Sequence, residues 1–480
     1  MTQEPAQTPL PPIEDHGSDG SLDKGWRGEL AATFQLSWPL VLANLLQMGI
    51  YMVDVIFIAR LGEEPLAASG LVAGLFGLIV WSLSSLSGAV APLIAEAIGA
   101  KGPSLRPVRR ATRMALWLAA ISGVIGMGLA LLLGPAMRVT GQAPSIIALA
   151  LEYNSLVIFS LIPMLLASVL RNYVSALGWP VFATAITALG IPVNALANYA
   201  FIFGNLGAPE MGLAGAAVAT IITALITLAA YVVVILLFPR LARYHIFYRF
   251  WRPDWKRFWL IVRIGTPIAL TVAAEAGVFS AAAFLMGRIG AAELAGHIVA
   301  LNIAALAFQV PFGVGQAATI RVGYAYGARD RHGIKLAGWV ALAIGTGFMA
   351  FTAAAMVLVP EYLLRIYVDI DDPKNAGLIG FALQYLVLAA AFQLVDGLQA
   401  VAAGALRGLQ DTRVPMWIAI FSYWVPGFGL AIVLGFGAGL DGIGVWIGLA
   451  AGLAFAAALL TWRWMLRENL GLIPRPTTAR

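Results

Sequence analysis

The sequence predicts an all-α polytopic membrane protein, and three observations lead to this prediction. Hydrophobic residues make up 60% of the 480 residues and charged residues only 11%, whereas soluble proteins carry about 25% charged residues. Apolar runs of about 20 residues, the length at which a helix spans a bilayer, recur along the chain. The short alternating segments of a barrel are missing, and backbone polar groups in lipid must be satisfied internally, so these runs are expected to be helices.

Gly and Pro mark most ends of the apolar runs, and twelve spans are predicted between them. The spans cover residues 34–60, 66–98, 110–133, 146–169, 181–203, 213–238, 259–287, 294–322, 334–359, 378–406, 414–436 and 443–465. Residues 1–30 are rich in Pro, Gly and acidic residues and lack the apolar core of a signal peptide. They are expected to form a disordered tail, and residues 467–480 form a second tail.

Basic residues cluster in the connections that follow even-numbered spans. The second connection carries Lys101, Arg106, Arg109 and Arg110; the sixth, at 239–258, carries Arg240, Arg243, Arg249, Arg252, Lys256 and Arg257. The positive-inside rule therefore places these connections and both termini in the cytoplasm. Because the charges lie between spans of a membrane protein, the net charge of +6 does not indicate nucleic-acid binding.

The two halves of the chain are an internal duplication. Pro39 and Pro267 are 228 residues apart, and the same offset relates the following pairs: Gln47 with Glu275, Gly62 with Gly290, and Gly99 with Gly327. Six spans per copy is an even number, so the repeats are parallel, with an axis along the membrane normal. The prediction is an N-lobe at 31–238, a cytoplasmic linker at 239–258 and a C-lobe at 259–466, with a substrate cleft between the lobes.

Glu275 lies near the middle of the seventh span. A carboxylate at that depth costs roughly 2–3 kcal/mol unless it faces a cavity or a partner, which makes it a functional candidate. Its small neighbours, Ala274, Ala276 and Gly277 among them, leave room for water or an ion. The alternative is a structural acid that is hydrogen bonded in the bundle. Gln47 at the matching place is uncharged, so the charge is particular to the second half.

Asp54 lies seven residues after Gln47 and therefore on the same helical face. Asn194 and Asn198 are spaced i, i+4 in the fifth span, near a proline that loosens the backbone. These three residues are predicted to form a polar pocket in the first half. The alternatives are an ion pair between Asp54 and Arg60 and a purely structural role for the two asparagines as interhelical hydrogen-bonding partners.

Asp396 lies well inside the tenth span, and Gln393 and Gln399 make that stretch of helix polar. We predict that it takes part in ion binding, with a structural acid as the alternative. His297 and Asn302 lie on the eighth span as supporting polar residues, although a lone membrane histidine is more often a packing residue. Pro311 predicts a break further along the same span.

Metal-ligand clusters, nucleotide-binding loops and catalytic triads are not evident, and the chain has no cysteine. The run at 369–372 contains three aspartates and offers the one alternative metal site, although a solvated turn is the expected structure. Uphill transport without a nucleotide site would draw on an ion gradient. No metal or other cofactor is therefore expected, apart from the ion of that gradient.

The order of the motifs resembles the MATE multidrug and toxin extrusion transporters, in particular the NorM-like branch. The resemblance rests on QMGIYMVDVIFIARLGEEPLAA and EAGVFSAAAFLMGRIGAAELAGHIVALN in the two halves, and on PFGVGQAATIRVGYAYG and GALRGLQDTRVP. It implies two six-helix lobes in a V shape, and it places the family's acids of the first, seventh and tenth spans at Asp54, Glu275 and Asp396. Two residues that flank His297 depart from the family's pattern: Gly296 stands where the family more often has Ala, and Ile298 stands where it often has Gln.

The resemblance also implies an antiporter that exports organic cations and amphipathic drugs in exchange for Na⁺ or H⁺. Combined with the positions of the acids, it implies that Glu275 and Asp396 hold the coupling ion, Na⁺ or a proton. The expected setting is a monomer with both termini cytoplasmic, in the inner or plasma membrane and in contact with the lipid bilayer. An alternative is a flippase for lipid-linked precursors, for which a more cationic cleft would be expected. A membrane enzyme would require a constellation such as that at 369–372, so the chain is not predicted to be an enzyme, and a channel is disfavoured because no filter sequence is visible.

Overall fold

The computed structural model describes residues 25–100, 104–139 and 142–473, and in this part of the chain all regular structure is helical. Twelve helices among these residues are long and apolar enough to cross a bilayer, which confirms the predicted fold class. They are α1 Trp26–Ala59, α2 Glu63–Gly99, α3 Leu105–Val139, α4 Pro144–Ala176, α5 Pro180–Phe203, α6 Leu213–Leu237, α7 Trp255–Ile289, α8 Ala291–Gly327, α9 Arg331–Leu358, α10 Pro373–Gly408, α11 Arg413–Gly437 and α12 Asp441–Met465.

Most helix ends lie within a few residues of the predicted ones. The largest difference is in α1, which begins at Trp26 instead of near residue 34, so residues 26–30 of the predicted tail are helical. Apolar Trp26 and Leu30 and the acid Glu29 in the first turn suit the start of a helix. Lys101 and the predicted tail segments 1–24 and 474–480 lie outside the described residues.

The prediction of a break at Pro311 is wrong, because α8 runs through this proline as one helix. The neighbouring turn is tightly packed: a Cβ added to Gly313 would lie 2.6 Å from a methyl group of Val41, and one on Gly315 would lie 3.1 Å from the carbonyl oxygen of Ala400. Close packing from two neighbouring helices supports the backbone where the proline removes a hydrogen-bond donor.

The two lobes are joined at one end of the bundle. We call this end the basic side; it is the side on which α2, α6, α8 and α10 end. Arg321 bonds to Glu29 across the lobes there, and Trp81 contacts Phe312 nearer the middle of α2 and α8, with ring centroids 5.8 Å apart. A buried apolar cluster also crosses this boundary, including Leu40 of α1 and Ala317 of α8. The six-helix lobes therefore form the expected V-shaped pair, closed at the basic side.

Candidate functional site

In the second lobe, four helical residues form a polar cluster inside the bundle. The side-chain amide of Gln399 donates to Glu275 Oε1 at 3.1 Å and to Asp396 Oδ1 at 3.3 Å. The Tyr423 hydroxyl donates to Gln399 Oε1 at 2.8 Å. Asp396 is 5% exposed and Tyr423 is 2% exposed. The structure thus brings together the acids of α7 and α10 that the sequence singled out, and a single amide connects them.

Local helix geometry positions Tyr423. Residues Tyr423–Phe428 form a π-helical turn that contains Pro426, and such turns widen a helix and redirect its side chains, often at functional sites. Close packing of α11 on α12 accompanies this turn, since a Cβ on Gly427 would lie 3.1 Å from the Cα of Gly452. A small cavity adjoins the cluster. It is lined by Glu275, Val278, Phe279, Tyr423, Gly427, Leu449, Gly452 and Leu453.

The charges of this cluster are not balanced. Glu275 and Asp396 are both carboxylates, while the nearby cation is Arg407 of α10, which interacts with Glu275 and with Tyr423. Two carboxylates that share one amide donor in a low-dielectric interior repel each other unless a cation or a proton neutralises one of them. The arrangement is therefore suited to binding one monovalent cation or one proton.

The first lobe contains a separate polar cluster. Asp54 Oδ1 accepts hydrogen bonds from the amides of Asn194 at 2.9 Å and Asn198 at 2.7 Å, and Asn198 also donates to Asn194 Oδ1 at 3.1 Å. Both asparagines are fully buried. The alternative partner of Asp54 is not used, because Arg60 lies over the ring of Phe57 at 5.6 Å instead.

One oxygen of the first-lobe cluster is left without a partner. Asn198 Oδ1 is buried and accepts no hydrogen bond from the described residues. A buried acceptor next to a carboxylate needs a donor or a cation, because an unsatisfied polar group in the interior destabilises the fold by about 1–3 kcal/mol. The three residues that the sequence grouped therefore form a second candidate site for a proton or a small cation.

The remaining predicted residues lie outside the two clusters. Gln47 and Asn302 are exposed, and in the described part of the chain neither bonds to the acids. Gln393 is buried and donates to the Ala304 carbonyl oxygen at 3.2 Å, which links α10 to α8. His297 is fully buried and packs edge-on against Trp446, with ring centroids 5.4 Å apart.

Sequence reasoning missed part of the second-lobe cluster. It gave Tyr423 and Arg407 no role, and it noted Gln399 only as part of a polar stretch. The available signal was the spacing of Gln399, three residues after Asp396 and thus on the same helical face. For Tyr423, the signal was the Pro426–Gly427 pair that follows it in an apolar span.

The aspartates at 369–372 bond to their own turn. Asp369 accepts from the backbone N–H of Asp371 at 3.1 Å, and Asp372 accepts from that of Lys374 at 2.9 Å. Asp371 also faces the exposed Arg365 at 3.6 Å. Across the residues that the structure describes, no group of three or more His, Asp or Glu side chains is arranged to hold a metal ion.

Comparison with known families matches the model MatE twice, at residues 39–200 and 267–433. The chain belongs to the MatE family. The two matched segments begin at the proline pair from which the repeat was derived, one in each lobe. The MatE assignment confirms the resemblance found in the sequence motifs.

The MatE protein is similar to several NorM proteins over nearly its whole length. It is 43% identical over 458 residues to the probable multidrug resistance protein NorM of Brucella suis biovar 1 (strain 1330), covering 93% of this chain and 97% of the relative. It is also 43% identical over 446 residues to the probable multidrug resistance protein NorM of Mesorhizobium japonicum (strain LMG 29417 / CECT 9101 / MAFF 303099), covering 93% and 95%.

A solved structure shares the fold of this MatE protein. It is described as the outward-facing conformation of a multidrug resistance MATE family transporter of the MOP superfamily, with a TM-score of 0.81, 23% identity and coverage of 92% of this chain and 97% of that chain. The relatives at 43% identity are named as multidrug resistance proteins, and twelve helices among the described residues are long and apolar enough to cross a bilayer. The chain is therefore a multi-pass membrane protein and not an enzyme.

Proposed function

We propose that this protein is a secondary active multidrug antiporter. It exports organic cations and amphipathic drugs in exchange for Na⁺ or H⁺ by alternating access. It works as a monomer in the inner or plasma membrane, with the basic side and both termini cytoplasmic. The names of the NorM relatives support the substrate class, and the basic connections support the orientation.

One observation carries the coupling part of the proposal, namely the single amide of Gln399 that bridges Glu275 and Asp396. Among the described residues, the two carboxylates have one nearby cation, Arg407, so one negative charge is not compensated. A Na⁺ ion or a proton that enters lowers the repulsion between the carboxylates. For Na⁺, the carboxylate oxygens, Gln399 Oε1 and the Tyr423 hydroxyl offer the hard oxygen ligands that such an ion prefers.

Ion binding drives transport only if the two access states bind the ion with different affinity. In our proposal the cleft between the lobes opens toward the side opposite to the basic side, and the contacts between the lobes at the basic side support this. In our proposal, a cation that enters from that side fills the second-lobe cluster and favours release of the drug. Asp54, Asn194 and Asn198 form a second ion site in the first lobe. Lipophilic cations would bind in the cleft against apolar and aromatic walls.

The test is drug uptake into everted membrane vesicles under an imposed Na⁺ gradient and, separately, an imposed pH gradient. The wild type should respond to at least one of these gradients, which identifies the coupling ion. Glu275→Gln should abolish that response, because an amide has no charge for the ion to neutralise. Glu361→Gln is the matched control, since Glu361 is an exposed acid in the connection between α9 and α10. Ion-driven uptake by Glu275→Gln at the wild-type rate would refute the role of Glu275.

A further inference from the structure

The linker between the lobes is fixed to the first lobe. The Tyr173 hydroxyl donates to the Leu241 carbonyl at 2.8 Å, Arg109 Nε donates to the Tyr244 carbonyl at 3.0 Å, and Arg113 Nη1 donates to the Arg249 carbonyl at 2.8 Å. Leu241 and Tyr244 are each 1% exposed. The linker therefore has one side buried against the bundle, and its outer side forms a surface of defined shape.

Three tryptophans lie on that outer surface. Trp251 is 83% exposed, Trp255 is 54% exposed and Trp259 is 62% exposed. Trp255 and Trp259 are four residues apart at the start of α7 and therefore share one helical face. Three exposed indoles are unfavourable in water, but indole rings are enriched at the headgroup level of membranes, where one edge is apolar and the other is polar.

Cationic side chains alternate with these indoles. Arg252, Lys256 and Arg263 are exposed, and within the described residues none of them forms an ion pair with a carboxylate. Asp254, the one acid between residues 239 and 259, is already engaged: it pairs with Arg110 at 3.6 Å and accepts from the backbone N–H of Arg257 at 3.2 Å.

The nearest charges of the first lobe are also positive. Arg113 of α3 is attracted by Asp254 of the linker and repelled by Arg109 and Arg110 of its own helix and by Arg252 of the linker. The surface thus carries an excess of positive charge that the described groups of the first lobe do not neutralise. An anion from outside the protein would lower this repulsion.

We propose that this surface binds the phosphodiester headgroups of anionic phospholipids. We call it the linker patch, and it consists of Trp251, Arg252, Trp255, Lys256, Trp259 and Arg263. Basic clusters next to a membrane span attract anionic lipids, and the long Lys and Arg side chains reach the phosphate level from positions along the helix. The alternation with indoles at the start of α7 favours a lipid over a soluble anion. This proposal does not depend on the identity of the transported substrate.

The experiment measures lipid binding to the purified full-length protein in neutral detergent by native mass spectrometry. Phosphatidylglycerol is titrated in parallel with phosphatidylcholine. We expect the wild type to prefer phosphatidylglycerol, and the triple variant Arg252→Gln, Lys256→Gln, Arg263→Gln to bind it at least tenfold more weakly. The matched control is Arg329→Gln, Arg331→Gln, Lys335→Gln. It removes three exposed cations from the connection between α8 and α9 and from the start of α9, on the same basic side, and should bind within twofold of the wild type.

Two further measurements test the proposal independently of the triple variant: a single substitution and a competition with glycerol phosphate. Arg252 lies before α7, so the single variant Arg252→Gln does not disturb the helix. It should bind phosphatidylglycerol more weakly than the wild type even if the triple variant folds poorly. Glycerol phosphate at millimolar concentration should not displace the lipid, because it lacks the acyl chains that bring a headgroup to the indoles. Equal binding of both lipids, equal binding by the patch and control variants, or displacement by glycerol phosphate would each overturn the proposal.

Discussion

Gly99 and Gly327 hold equivalent places in the two lobes and pack against each other's helices in a reciprocal way. A Cβ on Gly99 would collide with the carbonyl oxygen of Tyr324, and a Cβ on Gly327 would collide with the carbonyl oxygen of Glu96. Tyr324 precedes Gly327 by three residues, just as Glu96 precedes Gly99. The contact therefore follows the symmetry of the repeat, and it joins α2 to α8 at the basic side.

Gly99→Ala and Gly327→Ala should each weaken this contact between the lobes. The added methyl group meets a backbone carbonyl that cannot rotate away, so the helices must separate, at a cost of about 1–3 kcal/mol. Because the chain has no cysteine, spin labels on cysteines introduced at Arg106 and Lys335 can report the distance between the lobes at the basic side. We expect the population with a longer distance to increase.

Gly74→Ala is the control for these variants, since a Cβ at Gly74 of α2 meets nothing within 4 Å. It should leave the distance distribution unchanged. An unchanged distribution in both Gly99→Ala and Gly327→Ala would show that the reciprocal contact does not hold the lobes together.

Glu29 and Arg321 form an ion pair across the same boundary. Arg321 donates to both carboxylate oxygens of Glu29, at 2.9 Å and 2.5 Å, and the two side chains are 26% (Arg321) and 10% (Glu29) exposed. Glu29→Gln removes the negative charge that faces the half-buried guanidinium of Arg321. We expect a loss of about 2 kcal/mol from the contact, as for hydrogen bonds to charged groups, and a shift toward a longer distance between the same spin labels.

The double variant Glu29→Arg, Arg321→Glu is the control for charge complementarity. It exchanges the two charges and should recover part of the wild-type distance distribution. If Glu29→Gln and the exchanged pair both resemble the wild type, the ion pair makes no contribution to the closure of the basic side.

The fold was predictable because its determinants are local. Span length, the Gly and Pro residues at the ends and the 228-residue offset are all properties of neighbouring residues or of a simple repeat. Pro311 shows the limit of such reasoning. A proline, considered alone, predicts a broken helix. The helix is continuous here because Gly313 packs against Val41 of another helix, a contact that the local sequence does not show.

The candidate sites were predictable only in part. The i, i+4 spacing of Asn194 and Asn198 put them on one face, but Asp54 had two possible partners, and the choice depended on how α1 and α5 are oriented. The pairing of Glu275 with Asp396 followed from the family resemblance. Gln399 can be identified as a bridge only when the distance between α7 and α10 is known. The position of Tyr423 depends on a π-helical turn, which the sequence analysis did not predict.

Gln399→Leu should impair ion coupling more than it impairs folding. Its amide is the common donor to Glu275 and Asp396, and without it the two carboxylates can separate and lose a shared site for the ion. Each bond to a charged group contributes about 1.5–3 kcal/mol, so the ion concentration for half-maximal transport should rise about tenfold or more. The measurement is vesicle uptake titrated with Na⁺ and with pH.

Gln393→Leu is the matched control for Gln399→Leu. Gln393 lies on the same helix and is equally buried, but it donates to the backbone carbonyl of Ala304. It should lower thermal stability by a similar amount and leave the ion dependence unchanged. Equal ion titrations for the two variants would contradict the bridging role of Gln399.

Asp54→Asn should retain the fold and reduce transport at least tenfold. The new amide oxygen can still accept the two bonds that Asn194 and Asn198 donate, so the melting temperature should stay within a few degrees of the wild type. The negative charge that would hold an ion is gone. Transport and thermal unfolding are measured side by side, with Asp441→Asn, an exposed acid at the start of α12, as the control. Full transport by Asp54→Asn would remove the first-lobe site from the mechanism.

His297→Leu separates a packing role from a proton-carrying role. The imidazole is fully buried against Trp446, and neither of its nitrogens has a hydrogen-bond partner among the described residues. Replacing an unsatisfied polar group by an apolar one of similar size should be neutral or slightly stabilising, by up to about 1–3 kcal/mol. We therefore expect wild-type transport under both ion gradients and an equal or higher melting temperature.

His332→Leu removes an exposed imidazole from α9 and controls for the loss of a histidine as such. If His297→Leu folds normally but loses pH-driven transport while His332→Leu keeps it, the buried imidazole carries a proton and the packing interpretation is wrong.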